Sequence, residues 1–426
     1  MLPRCFMVAQ LGARMHYAVP RILHKEGMLS GFFTDIYASQ GLPRLLSLLP
    51  TRLRKGGLER LLERRLMEIP SGLVHSFPLL GLEYKRRLRA ARSAEESVLA
   101  HLWVSSTFAE RVAKSVDNSW NAAYVFNSAG LEILERCRST GALGCLEQCS
   151  SPHLKEMRLV CEESLNFPEW GTVPDTAHAD AAYGERERNE WAAADVIICP
   201  SEFVRSGLVE GGADPARIRV VPYGVDVEAR SQKSEVRSQN FGTKPALSEP
   251  LRVLVAGRIC LQKGSHYVLQ VAELLQGRAT FRMVGSLAGL PESMLNRLRQ
   301  RVEVLGPVPR PAMAAQYGWA DIFLLPSLCE GSATVTYEAL GYGLPVICTP
   351  NAGSVVRDGL EGFIVPVRDA PAVAGRIEQL AQDVELRAQM VANAKARAAE
   401  FTVAAYGQRL LAALTGGMPL RESISA

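Results

Sequence analysis

Short apolar runs alternate with helical patterns along nearly the whole chain. In the first half, Phe6–Gln10, Gly31–Tyr37, Ala122–Asn127, Ala142–Glu147, Val196–Pro200 and Arg219–Val221 read as strands. Helices are expected between them, at His16–Glu26, Glu83–Val116, Leu131–Arg138 and His153–Phe167. A second series begins with Leu251–Ala256 and continues through Thr280–Val284, Val302–Leu305, Ile322–Leu325 and Leu344–Cys348, before a helical tail from Ala370 to about Leu414. Strands alternating with helices predict parallel sheets covered on both faces. From Asp226 to Pro250 the chain turns to Ser, Gln, Glu, Arg and Lys, which reads as an exposed linker. The expected class is therefore α/β, with two doubly wound Rossmann-like domains facing across a cleft. Their boundaries fall at 1–225, 226–250 for the linker, 251–400, and a last segment 401–426. No repeat of 20–50 residues marks a solenoid.

Composition narrows the function. Of 426 residues, 47% are apolar and 22% charged, an ordinary globular balance. No stretch approaches the ~18 consecutive apolar residues that a membrane-crossing helix needs. Residues 1–15 break their apolar run at Gln10 and offer no clear cleavage site, so no secretory signal is expected. Nine scattered cysteines without a histidine cluster fit reduced thiols in a cytoplasmic chain, neither a disulfide frame nor a zinc site. A net charge of +4 is too small to imply nucleic-acid binding. Its distribution says more: residues 44–92 hold twelve Lys/Arg against four acids. There Leu58, Leu61, Leu62 and Leu66 recur at helical spacing among Arg60, Arg64 and Arg65, and Lys85-Arg86-Arg87-Leu88-Arg89 follows. Such a surface would rest on an anionic membrane, at its inner face, or would be a solvated helical face folded back on a core. The sequence leaves both open.

In doubly wound sheets ligands bind beyond the carboxyl ends of strands. After Leu251–Ala256 come Gly257-Arg258 and then Lys263-Gly264, opening the next helix. Two cations beside a helix N-terminus can neutralise a departing diphosphate without a metal. After Ile322–Leu325, Glu330-Gly331 lies on a loop and Glu338 near the start of the next helix. Paired carboxylates at such a crevice can accept hydrogen bonds from the diols of a ribose or hexose. Between them Gly331, Ser332, Ala333 and Thr334 are small, leaving helix N-terminal amides open to a ligand.

The run from Pro326 to Ile347, with Glu330-Gly331, Glu338-Ala339, Gly341, Gly343 and Pro345, resembles the signature of the group 1 (family 4) retaining glycosyltransferases. Gly257-Arg258 and Lys263-Gly264 resemble that family's phosphate-binding pair, Gly285 its strand-end glycine, and Gly306-Pro307-Val308 the segment framing the nucleobase. The likeness extends over about residues 180–400. It implies the two-domain fold called GT-B, with a nucleotide sugar held by the second domain and a hydroxyl acceptor (a glycan, a lipid-linked molecule or a small metabolite) on the first. By that carry-over Arg258 and Lys263 hold the diphosphate, Glu338 binds the ribose, and Glu330 touches the donor sugar. Glu330, Arg258 and Lys263 are then the catalytic candidates. No metal or cofactor is implied, and the last helix, 401–426, is expected to cross back onto the first domain. A nucleotide-sugar epimerase on the same scaffold, or a non-catalytic nucleotide-sugar-binding subunit, is the alternative.

The first half departs from the family's pattern. Its strand-end loop has Gly12-Ala13 where paired glycines are usual. The places where a histidine is common hold Asn127-Ser128 and Glu147-Gln148, and Val355 stands where many relatives carry an acid. Gly12, Ala13, His16, Asn127 and Glu147 are the acceptor-side candidates, with Glu147 or His16 as the polar group near the reacting carbon.

Overall fold

A computed structural model describes residues 5–37, 68–115, 120–171, 173–226 and 250–416. The leucine-arginine stretch at 58–66 and linker residues 227–249 lie outside the described residues.

Two all-parallel sheets carry the architecture, consistent with strands that are almost continuously buried. The first contains β1 (Phe6–Gln10), β2 (Leu29–Thr34), β3 (Val74–Ser76), β4 (Ala122–Phe126), β5 (Leu143–Glu147), β6 (Val196–Cys199) and β7 (Ile218–Val220), in the order β3-β2-β1-β4-β5-β6-β7. The second contains β8 (Leu251–Ala256), β9 (Ala279–Val284), β10 (Val302–Gly306), β11 (Ile322–Leu325), β12 (Val346–Cys348) and β13 (Gly362–Ile364), ordered β10-β9-β8-β11-β12-β13. Each sheet reverses its winding beside its first strand. The β1/β4 and β8/β11 junctions are therefore the crevices where ligands collect.

Several elements differ from the pattern-based expectation, each for a local reason. β3 and β13 are three-residue edge strands, too short to show a period. The single helix expected over 83–116 is two, Pro78–Ala90 and Ala94–Ser115. Ser93 Oγ accepts from Glu96 N (3.1 Å) and Glu96 accepts from Arg92 N (2.6 Å), so a Ser-x-x-Glu cap starts the second. The tail is three helices, Ala370–Gln382, Val384–Glu400 and Val403–Thr415. Asp369 accepts a first-turn amide and starts the first where expected, and Asp383 and Thr402 do the same and restart the helix twice.

The halves are joined by more than the linker. On helix Val403–Thr415, Tyr406, Leu410 and Leu414 are buried in a cluster with first-half Tyr17 and Tyr124. Arg409 donates to the carbonyls of Pro222 and Tyr223, both at 3.2 Å. Helix His153–Asn166 begins on the first half, yet Phe167 and Trp170 beyond its end pack into the core of the second. There Glu163 is fully buried. It accepts from His266 Nε2 (2.7 Å), Arg368 Nε (2.6 Å) and the Tyr267 hydroxyl. Burial pushes its carboxyl up in pKa, and these three hydrogen bonds outweigh that and hold it at about 2. Burial lowers His266, so a neutral imidazole donating through Nε2 fits the site, with Nδ1 left buried and unpaired.

A carboxylate depressed from 4.5 to about 2 stabilises the fold above the higher value and loses that contribution as pH falls towards the lower. Denaturant titrations from pH 6 to 2 should therefore show about 3 kcal/mol disappearing below pH 4.5. Glu163→Gln should lose it already at pH 6 and flatten the profile.

Candidate functional site

The second crevice is built at the carboxyl ends of β8 and β11. β8 ends in Gly257-Arg258, and the chain turns through Leu261–Lys263 into helix Ser265–Leu274. Gly264, between turn and helix, has φ +69°, and a Cβ there would run into the Pro326 carbonyl. The missing side chain lets the β8 and β11 loops touch, and so Lys263 reaches Glu330. The two form an ion pair, and Glu330 also accepts from Ser327 Oγ at 3.0 Å. The paired side chains are largely covered, at 23% and 10% exposure, whereas Arg258 is exposed and donates to the Ala288 carbonyl at 3.0 Å. Gly285 and Gly306 end the neighbouring strands, with Gly285 N donating to Gly306 O, and Val308 packs against the core.

Glu338 is the fifth residue of helix Thr334–Gly341, not part of its opening. It accepts from the Tyr317 hydroxyl at 2.8 Å, and Tyr317 stacks on Tyr342 with centroids 5.0 Å apart. The run of small residues is less open than expected. Ala333 N already donates to Ala352 O, and the Ser332 hydroxyl engages Tyr337 and Gly353 O. Thr334 is exposed.

The first half presses directly on this loop. A Cβ on Gly331 would overlap the Cys149 carbonyl, and Ser201 Oγ donates to Gly331 O at 2.6 Å. From helix His153–Asn166, Glu156 accepts from Gln262 Nε2 at 3.0 Å, beside Lys263. Burial pushes the Glu156 carboxyl up in pKa. Glu156 and Cys149 were invisible to motif reading, and Ser201, though within the stretch that resembles the family, showed no partner there, since the residues they meet lie 106 to more than 130 positions away in sequence.

On the first half, Gly12 N donates to Asp35 at 3.0 Å, Ala13 precedes the turn, and His16 contacts Arg310 of the second half. Asn127 is spent internally, its side chain accepting from Cys149 N at 3.3 Å. Glu147 is buried at the end of β5 and accepts from the hydroxyls of Tyr124 (2.6 Å) and Tyr223 (2.9 Å). Burial raises its pKa against the pull of those hydrogen bonds. Above it a cavity of about 210 Å³ is bordered by Arg14, Met15, Phe126, Cys149 and Tyr223. Among the described residues no cluster of three or more His, Cys, Asp or Glu could hold a metal ion.

Comparison with known proteins bears on the second half and on the fold. Residues 250–383 match the family model described as glycosyl transferases group 1. A D-inositol 3-phosphate glycosyltransferase of Xylanimonas cellulosilytica is 31% identical over 228 residues, 49% of this chain and 54% of that protein. An alpha-D-kanosaminyltransferase of Streptomyces kanamyceticus is 26% identical over 241 residues, 54% of this chain and 62% of its own. The chain thus spans about half the length of the curated relatives it matches. Among solved structures, Anabaena HepE in complex with UDP aligns at TM-score 0.61 and 16% identity, covering 97% of this chain and 100% of that one. Sucrose-phosphate synthase of Thermosynechococcus elongatus aligns at 0.61 and 16%, covering 96% and 97%. The paired Rossmann-like sheets are the GT-B fold. The family match lies within the second half of the chain, at residues 250–383.

Gly264→Ala should cost more than the about 1–2 kcal/mol of a left-handed alanine, because the Pro326 carbonyl must also move. A wild-type denaturation midpoint in this variant would show that the turn is not held as described.

Proposed function

We propose that the chain is a metal-independent, retaining glycosyltransferase that moves a sugar, a hexose in the simplest case, from a nucleoside diphosphate to a hydroxyl acceptor. The observation that carries this reading is Lys263, paired with Glu330 and close to Arg258, at the switch point of a group 1 glycosyl transferase domain. The UDP named for the HepE structure makes a uridine diphosphate the first donor to test.

In this reading Arg258 and Lys263 stabilise the charge that develops on the leaving diphosphate. Glu330 then exchanges part of its hold on Lys263 for the donor sugar's hydroxyls, and Glu338 receives the ribose. The bond from the anomeric carbon to the phosphate oxygen breaks, and the acceptor oxygen bonds that carbon from the same face. The acceptor's proton passes to the departing phosphate oxygen, so no first-half base is required. Cys149, Glu156 and Ser201 cover the site and keep water from competing as acceptor.

A thermal-shift panel of nucleoside diphosphates tests this. A true donor base at a hundred times its dissociation constant adds about 2.7 kcal/mol. That should raise the midpoint of a domain of this size by about 5–10 °C. Lys263→Ala should lose the response. No response to any nucleoside diphosphate would remove the donor assignment, and sugar isomerisation without an acceptor would favour an epimerase.

Contact with an anionic membrane has one observation in its favour. Helix Pro78–Ala90 buries only Leu80 and Gly81, while Leu79 (77% exposed) and Leu82 (49%) share a face with Lys85, Arg86 and Arg89. Exposed leucines beside cations suit the boundary between lipid headgroups and acyl chains. Vesicles containing phosphatidylglycerol should co-sediment the protein, pure phosphatidylcholine should not, and Leu79→Glu with Leu82→Glu should abolish it. Equal recovery with both vesicles, or none with either, leaves that helix as a solvated face of a cytoplasmic enzyme.

A further inference from the structure

The cavity at the ends of β1, β4 and β5 lies across the cleft from the diphosphate cradle, and its charge pattern is distinct. Its deepest polar group, Glu147, already has one oxygen engaged by Tyr124 and the other by Tyr223. Around it burial keeps the phenol of Tyr223 and the thiol of Cys149 (raised to about 12) protonated. Among the described residues Arg14, exposed at the rim, is the one guanidinium bordering this space, and its side chain makes no hydrogen bond to another of them. Of the acids around it, the Glu147 carboxyl faces it at longer range without a hydrogen bond. Five N–H donors in a fork thus border a cavity with no acid hydrogen-bonded to them.

The backbone presenting Arg14 is strained. Met15, His16 and Tyr17 follow it with φ of 44°, 50° and 58°, three consecutive non-glycine residues in the left-handed region. Each such residue costs about 1–2 kcal/mol, so the turn persists only because its surroundings enforce it. Gln10 Nε2 donates to the carbonyls of Gly12 and Arg14, both at 3.2 Å. Tyr17 is buried edge-on against Phe32 and Tyr37, and His16 is held by Arg310. A relaxed turn would be simpler if Arg14 had no position to keep.

We propose that this cavity receives the acceptor and that Arg14 recognises an oxyanion, a phosphate or a carboxylate, carried on that acceptor. The inference rests on the transfer reading for the word acceptor, while the anion site stands on its own geometry. The space, about 210 Å³ and open to solvent on one side, admits a compact polar unit with its anion. Such an anion would approach Arg14 bidentately, as guanidinium and oxyanion geometries match.

The test uses the full chain and calorimetric titration with glycerol 3-phosphate, glycerate and glycerol, in wild type, Arg14→Gln, Arg14→Lys and Lys263→Ala. Wild type and Lys263→Ala should bind at least one of the two anions and not glycerol, the better one identifying phosphate or carboxylate. Arg14→Gln should weaken that binding about tenfold or more, with Arg14→Lys between, while all Arg14 variants keep the wild-type response to UDP. Anion binding unchanged by Arg14→Gln, binding abolished by Lys263→Ala, equal binding of glycerol, or no anion binding by wild type each overturns the proposal. If no nucleoside diphosphate binds any of the chains while anion binding still requires Arg14, the anion site stands and the transfer reading falls.

Discussion

Two crevices become one because residue 331 has no side chain. The β1/β4 and β8/β11 junctions would each exist on an isolated Rossmann-like unit. They share a wall where Gly331 meets the Cys149 carbonyl and Ser201 closes on the Gly331 carbonyl. Any Cβ at that point must push the sheets apart, and Lys263, Glu330 and Glu147 would then belong to separate clefts. The close approach of two main chains is thus the constraint on which the combined site depends. The Lys263–Glu330 pair lies just beneath it. A pair so covered is screened less than a surface pair. Any anionic ligand would therefore have to compete for Lys263 with a carboxylate already in place, which would favour a doubly charged ligand over a singly charged one.

Much of the second crevice was legible in the sequence because its parts are local. Gly257-Arg258, Lys263-Gly264 and Glu330-Gly331 each sit within a few residues of a strand end, and parallel-sheet topology brings strand ends together. What the spacing could not show was the partner of each group. Glu338 at a helix start reads as a diol ligand, but its contact with Tyr317 depends on how helix Arg310–Trp319 packs. The first half was less legible because its polar groups answer distant residues: Glu147 to Tyr223, Glu156 to Gln262, Glu163 to His266 and Arg368. Arg14 reads as an ordinary loop arginine, since nothing in the letters Met-His-Tyr announces three left-handed residues.

Helix boundaries failed for the opposite reason. The capping signals at Ser93, Asp383 and Thr402 are local and present, but continuous apolar periodicity across them outweighed a single polar residue. Where a Ser, Thr or Asp is followed by first-turn amides that lack partners, a break is cheaper than an uncapped continuation.

Helix His153–Asn166 decides how the cleft can move. It leaves β5 with the first half, but its far end is embedded in the second through Phe167, Trp170 and the buried Glu163. Separating the sheets must therefore either bend the 147–153 connection or pull a carboxylate from three donors in a dry site, which leaves an uncompensated buried charge and costs about 3–5 kcal/mol. The near end of the helix is tied as firmly to the first half, His153 bonding Asp180 and Glu187 and Lys155 pairing with Glu210, so the helix is anchored on both sides and holds Glu156 beside Lys263 between them. With Arg258 exposed at the end of β8 while Lys263 and Glu330 are covered, a ligand meets Arg258 first and reaches the ion pair afterwards.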